Sequence, residues 1–482
     1  MLIMAYPRVD MFEPLRAFPG IYVDMADLSL DPLLAAMDQV LDDEKLMLIV
    51  WNDYVTRRPH CLTTGRRSTP VEALIRLQAV RRLYRWSYRQ VQVQVKGSLA
   101  LRQFTRVYGH SVPNHATMND WECALQPATV RLIHQRVVGL AMTYGATAGK
   151  KLRTDGTVTE TNIHYPTDSS LLEDSVRVVG RMLSAGRELV GKQAGDSKPL
   201  FVNHTRSAKR LAREIGRAAR KKGVEVTPKM RKLYRKLLKT TQETLDHARQ
   251  AIPVIRRYGG LAGEGLADNL LHYLPLVGQV IDQTRRRVVQ RESVPAAEKL
   301  VSLFEPHTAI IKRGKSAPRD TEFGRKIMLD EVDGGIIADY RILPGNPPEA
   351  DQFQDSLDNH QDLFHHPPEL TATDRGIASP DNEDAAQQAG VQHVSMPQSG
   401  RPTADRIEHE RQVWFRLAQR FRAGIEGRIS VLKRARQLDR CRDKGEAGFE
   451  KWVGWGCIVN NLVNIARFIL KPRRRRPAAL AA

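Results

Sequence analysis

The sequence predicts an α/β protein: a helical segment comes first, a mixed sheet with flanking helices follows, and a second helical segment interrupts that sheet after its first strand. Three observations carry this. Helical apolar spacing fills most of the first 145 residues, strand-like alternation starts only at 152–163, and alternation then vanishes until about residue 301.

Taken in order, 28–54 reads as helix. After the turn-like TTGRRSTP come VEALIRLQAVRRLYRW, SYRQVQVQVKGSLALRQF and NHATMNDWECAL, with Pro70 suited to a first helical turn and Ser87 and Asn114 as N-caps. Three short helices with Arg81, Arg82, Arg85 and Arg89 close together predict a helix-turn-helix-type unit. A plain three-helix core with a basic face would read the same way. The recognition helix would lie in 87–104 or 114–125, and the sequence does not choose.

LRTDGTVTETNI (152–163) is strand language, and YPTDSSLLEDSVRVVGRML starts a helix with Ser170-Leu-Leu-Glu173 as its capping box. Asp168 reads as a helix-start residue. SLFEPHTAIIKRG and FGRKIMLDEVDGGIIADYRIL return to strands, with Asp333-Gly-Gly as a hairpin turn. Asp330, Asp333 and Asp339 are expected to be solvated on that hairpin. ELTATDRGIAS is a short strand, RQVWFRLAQRFRAGIEGRISVLKRAR a long amphipathic helix, and 449–470 a last helix before KPRRRRPAALAA. Helical domain, strand with Asp, helical insertion, hairpin, strand with Asp, helix with Glu is the order of a ribonuclease-H-like core. The boundaries expected are 1–145 for the helical DNA-binding domain, 150–173 with 301–470 for the core, 174–300 for the basic helical insertion, and 471–482 for a basic tail.

Charge points to the partner. Lys and Arg total 75 against 54 Asp and Glu, a net of +21, which suits a polyanion. It is unevenly spread: residues 206–257 hold 17 basic and 4 acidic side chains, and residues 345–410 hold 13 acidic and 3 basic. The chain separates a place for phosphates, or for a partner subunit, from a place for something cationic. No run of about eighteen apolar residues suggests a membrane span. MLIMAYPRVDMFEPLR has no secretory pattern, and four scattered cysteines (Cys61, Cys123, Cys441, Cys457) fit a reducing cytoplasm better than a disulfide framework.

The acidic residues suggest the chemistry. Phosphoryl transfer on DNA uses two hard cations about 3.5–4 Å apart, and Mg²⁺ prefers carboxylate oxygen. At TDGTVTETNIHYPTDSSLL (154–172), LTATDRGIASPDN (370–382) and WFRLAQRFRAGIEGRISVLKR (414–434) the chain resembles the DDE transposases of bacterial insertion sequences. The ISNCY type and its insertion-sequence-five-like relatives are the most similar. STPVEALIRLQAVRRLYRWSYRQV resembles the N-terminal domain of those proteins, so the resemblance covers almost the whole chain.

The resemblance implies that Asp155, Asp374 and Glu426 ligate metal and catalyse cleavage. It implies two Mg²⁺ ions per active site, with Mn²⁺ as a substitute. The partners it implies are double-stranded DNA, at transposon ends and target, and further copies of the chain in a homodimer or larger homo-oligomer. A membrane and a nucleotide cofactor are not among them, and the place of action would be the bacterial cytoplasm, on the nucleoid. The separations are 219 and 52 residues.

Helix periodicity supports Glu426 independently. Trp414, Leu417, Ala418, Phe421, Ile425 and Leu432 form an apolar side, and Gln419, Arg422, Glu426 and Lys433 a polar stripe. The family often shows Y-x2-R-x3-E-x6-K here. This chain has Gln419 in place of Tyr, while Arg422 and Lys433 would contact the DNA backbone. His360, His365 and His366 look like a metal cluster, but FHHPPE (364–369) reads as a loop before a strand, and Gly314-Lys315-Ser316 lacks the first glycine of a P-loop, with Ala309 in its place. The competing readings are a nuclease on the same fold without strand transfer, and a silent or domesticated DNA-binding protein.

Overall fold

The computed structural model describes residues 2–3, 30–57, 66–67, 69–191, 195, 199–222, 226–312, 321–398 and 400–471. Residues 4–29, half of the TTGRRSTP turn, Cys61, Gly314-Lys315-Ser316 and the tail KPRRRRP beyond Lys471 lie outside the described residues. Two compact units divide the rest: Met1–Glu160 with Lys326–Ala482, and Thr161–Arg325.

The first unit opens with helices Pro32–Leu41, Glu44–Arg57, Val71–Tyr84, Tyr88–Gly97, Leu99–Phe104, His115–Ala124 and Pro127–Thr143. Among the described residues before position 145, Leu2–Ile3 also pair in parallel with Arg66–Arg67. Ser87 makes a full capping box with Gln90, and Asn114 caps the helix of Trp121, both as expected. Two expected helices are each broken in two. The first breaks around Asp42 and Asp43, where the Asp43 carboxylate caps Leu46 and holds Arg136. The second breaks at Ser98, which caps Leu101.

The strands are β1 (Lys151–Glu160), β2 (Ala309–Lys312), β3 (Thr321–Val332), β4 (Ile336–Ile342), β5 (Leu370–Ala372) and β6 (His393–Ser395). In the first unit the sheet order is β4-β3-β1-β5-β6. β3 and β4 are antiparallel, and β1, β5 and β6 are parallel. The cross-strand pairs Arg153–Glu331 and Thr154–Asp330 run in opposite sense, so β1 and β3 are antiparallel. This is a ribonuclease-H-like core with flanking helices. Gly334 and Gly335 turn the β3–β4 hairpin at φ 78° and 75°, as the DGG signal predicts.

The hairpin aspartates are not solvated. Asp330 is buried, accepting from Thr154 and Arg341. Asp333 accepts from the backbone of Ala148 and Lys150 and so ties the start of β1 to the hairpin. Burial, with Asp330 beside it, pushes Asp339 up to about 6. A hairpin between a sheet and packed helices has little water-facing side to offer.

Helix Gly445–Ile469 is apolar on nearly all sides and correspondingly buried. Its glycines make the packing possible: a Cβ on Gly454 would lie 2.5 Å from the Tyr340 hydroxyl, and one on Gly456 2.8 Å from Leu438.

The second unit is the helical insertion that follows β1. Helices Asp168–Val190, Thr205–Lys222, Pro228–Tyr258 and Gly260–Thr284 enclose Leu183, Leu237, Ile255, Leu270 and Val280. The N-cap of the first is Thr167, boxed with Ser170, three residues before the expected cap. Asp168 is its first residue and pairs with Arg287 at 3.2 Å. β2 pairs antiparallel with Thr321–Gly324 of β3.

Candidate metal centre

Register brings the two aspartates together. β1 and β5 pair in parallel with Arg153 opposite Ala372, and two residues further on Asp155 comes beside Asp374. Asp155 and Gly156 are the one interior point of β1 that is not fully buried. Asp374 sits just past the end of β5, where its carboxylate accepts from the Gly376 and Ile377 amides at 2.9 and 3.1 Å.

The third carboxylate beside them is Glu349. Asp155, Glu349 and Asp374 each offer an oxygen within 4.8 Å of the others. Glu349 precedes helix Phe353–Phe364, and it can approach because position 156 is glycine: a Cβ there would lie 2.3 Å from Glu349 Oε1. Lys326, nearly buried on β3, pairs with Glu349 at 3.0 Å and donates to the Pro347 carbonyl at 2.9 Å.

Glu426 is held differently. Its side chain is 69% exposed, and it meets the aspartates only through Arg422, which lies 3.2 Å from Glu426, 3.6 Å from Asp155 and 3.5 Å from Asp374. One guanidinium thus bridges three carboxylates and offsets only part of their charge. Burial, opposed by Arg422 and reinforced by Glu349 and Asp374, pushes Asp155 up to about 6.

A buried ion network seats the helix Val413–Arg436. Glu331, with no exposure, holds Arg153 at 2.7 Å and Arg428 at 3.0 Å. Arg153 also donates to the Phe421 carbonyl, fitting against Gly424, where a Cβ would lie 2.3 Å from its guanidinium. The buried side of the helix is Phe415, Ala418, Ile425 and Leu432, whereas Leu417 is exposed, contrary to the predicted apolar side. Gln419 leaves the polar stripe and donates to the Ser395 and Thr373 carbonyls, clamping the ends of β5 and β6. Lys433 is half-buried on the same helix.

The predicted DNA-contact arginines separate into two kinds. Arg81 and Arg82 are buried packing residues and do not face solvent. Arg82 donates to the Trp452 carbonyl at 2.7 Å and lies over that indole, and its burial pulls it down to about 10. Arg81 stacks on Tyr88 and pairs with Asp443 at 3.4 Å. Their i, i+1 spacing on a short basic helix gave no sign that both point inward; the apolar helix at 445–469 is what covers them. Arg85 and Arg89 are exposed. His360 packs on Phe364 and burial pulls it down to about 4.

The sequence reading overlooked Glu349 and Lys326. The available signal was Gly156, a glycine inside a β-branched strand, which marks close approach of another group.

The donor set is all carboxylate oxygen, the chemistry of a hard divalent cation such as Mg²⁺ or Mn²⁺, and the recess at Gly156 leaves room for the third carboxylate. Residues 25–122, about a fifth of the chain, match the family described as Transposase domain (DUF772). No curated protein and no solved structure matches the chain. Among the described residues no helix is long and apolar enough to cross a membrane.

Proposed function

We propose that the chain is a DDE transposase of the ISNCY or insertion-sequence-five-like type, cutting and joining the ends of an insertion sequence. The observation that carries this reading is the convergence of Asp155 and Asp374 from adjacent parallel strands, with Arg422 linking both to Glu426. The transposase-domain match at 25–122 lies in the same chain.

In this reading Asp155, Asp374 and Glu426 hold two Mg²⁺ ions, with Glu349 a further carboxylate in reach and Mn²⁺ an acceptable substitute. When bound, the ions supply activation of the attacking oxygen and stabilisation of the leaving oxygen. The chain's own groups do the rest. The two strands fix Asp155 and Asp374, and the Glu331 network fixes the helix that carries Arg422 and Glu426. Arg422 offsets part of the carboxylates' charge, and with Lys433 it would hold phosphates of the strand being cut. No nucleotide cofactor and no membrane enter this reading. The site of action is the bacterial cytoplasm, on the nucleoid, with the chain assembled as a homodimer or larger homo-oligomer on double-stranded DNA. Arg85 and Arg89 remain as exposed phosphate contacts of the helical domain.

The test is joining. A duplex carrying the inverted repeats that flank the coding region is incubated with protein, Mg²⁺ and a target plasmid. A 3′-end joined to the plasmid is the expected product. Cleavage without joining would make the protein a nuclease on this fold, and binding without cleavage would make it a DNA-binding protein only.

A further inference from the structure

The helix Thr205–Lys222 has two unlike sides. Ala208, Leu211 and Ile215 are buried in the core of the second unit. Arg206, Lys209, Arg210, Arg213, Arg217 and Arg220 are exposed on the opposite side. Positions 206, 210, 213, 217 and 220 recur every three or four residues, so they form one stripe along the helix.

Among the described residues Glu214 is the one carboxylate within ion-pairing distance of the stripe, and it lies 3.9 Å from Arg210. The first five of these cations and Glu214 also line an open groove of about 360 Å³. Like charges at i, i+4 cost helix stability rather than add to it. A stripe of this kind is therefore kept at a cost that an anionic partner would offset.

Charge density points to the partner. From 206 to 220 the helix rises about 21 Å. One strand of B-DNA carries a phosphate per roughly 3.4 Å of axis, so the same length holds about six phosphates. Five cations of the stripe, with Lys209 beside them, thus run alongside a polyanion of comparable axial charge density. A lipid surface fits less well, because the large apolar residues of this helix are buried in the unit's core and none remains to insert. A single strand fits less well too, since the helix has no aromatic side chain on which a base could stack.

We propose that this stripe is a docking strip for the phosphate backbone of duplex DNA, reading no sequence. The choice of DNA rests on the transposase reading given above, and the strip gives the helical insertion a role in it.

The test uses the full chain and a duplex of random sequence, titrated from 50 to 200 mM salt. The variant R206A/R210A/R213A/R217A removes four contacts, so the slope of log affinity against log salt should flatten by about 3.6. The salt-induced loss of affinity would then be about 10²-fold smaller than in wild type. Arg→Lys at the same four positions should restore the slope. Alanine at exposed helical positions favours the helix, and the single change Arg213→Ala, expected to flatten the slope by about 0.9, guards against a fold defect in the quadruple variant. A wild-type slope in the folded quadruple variant would overturn the strip while leaving the transposase reading intact. Wild-type protein that fails to bind duplex at any salt would overturn both.

Discussion

Replacing a proposed metal ligand should make the metal-free protein more stable. Asp155 sits at about 6 instead of its usual 3.8, and its side chain is only 13% exposed, so solvent screens it little. A raised carboxyl keeps its proton to higher pH in the folded state than in the unfolded one. Its favourable contribution is full below pH 3.8 and is lost as pH rises through about 6. Two units at about 1.4 kcal/mol each make the ionised group cost about 3 kcal/mol at pH 8. Asp155→Asn keeps the shape and removes that ionisation.

In excess chelator at pH 8 the Asn variant should melt roughly 6 °C above wild type, at about 2 °C per kcal/mol for a unit of this size. The gap should narrow to about half as pH falls from 8 to 5 and close below about pH 3.8. Adding Mg²⁺ should reverse the order, because ligand binding stabilises only the chain that keeps its ligand set. Differential scanning calorimetry across pH, with and without metal, reads all of this. An Asn variant that melts below wild type at pH 8, or a gap that does not change with pH, would refute the reasoning.

Glu331→Gln removes the fully buried charge that Arg153 and Arg428 share, and breaking such a pair costs about 3–5 kcal/mol. Urea unfolding should show a loss of that size, and a loss under about 1 kcal/mol would mean the two guanidiniums are satisfied elsewhere. Gly156→Ala places a methyl 2.3 Å from Glu349 Oε1; the flexible carboxylate should move and the strand should not. Mn²⁺ affinity by calorimetry should fall about tenfold with the melting temperature little changed, and unchanged affinity would remove Glu349 from the site.

The order of elements was readable because each carries its own period. Alternation around Asp155 and in 321–342, helical spacing in 413–436 and the DGG turn are local signals, and each corresponds to an observed strand, helix or turn. What the sequence hid depends on contacts distant along the chain. Arg81 and Arg82 read as a basic surface because the helix that buries them lies some 370 positions later. The hairpin aspartates read as solvated because their partners, Thr154 on β1 and Lys150 just before it, lie far away along the chain. Glu349 stood among many carboxylates of one acidic segment, and only the recess over Gly156 distinguishes it.

The most direct measurement is cleavage of duplex DNA bearing the flanking inverted repeats, with Mg²⁺, by wild type and by purified Asp155→Asn, Asp374→Asn and Glu426→Gln. The account predicts a nick that leaves a 3′-hydroxyl with wild type. It predicts about a hundred- to thousandfold less with each variant, the scale on which losing a group that stabilises transition-state charge slows an enzyme, while duplex binding persists. Near-normal cleavage by any one folded variant, or full cleavage by wild type in excess chelator, would contradict it.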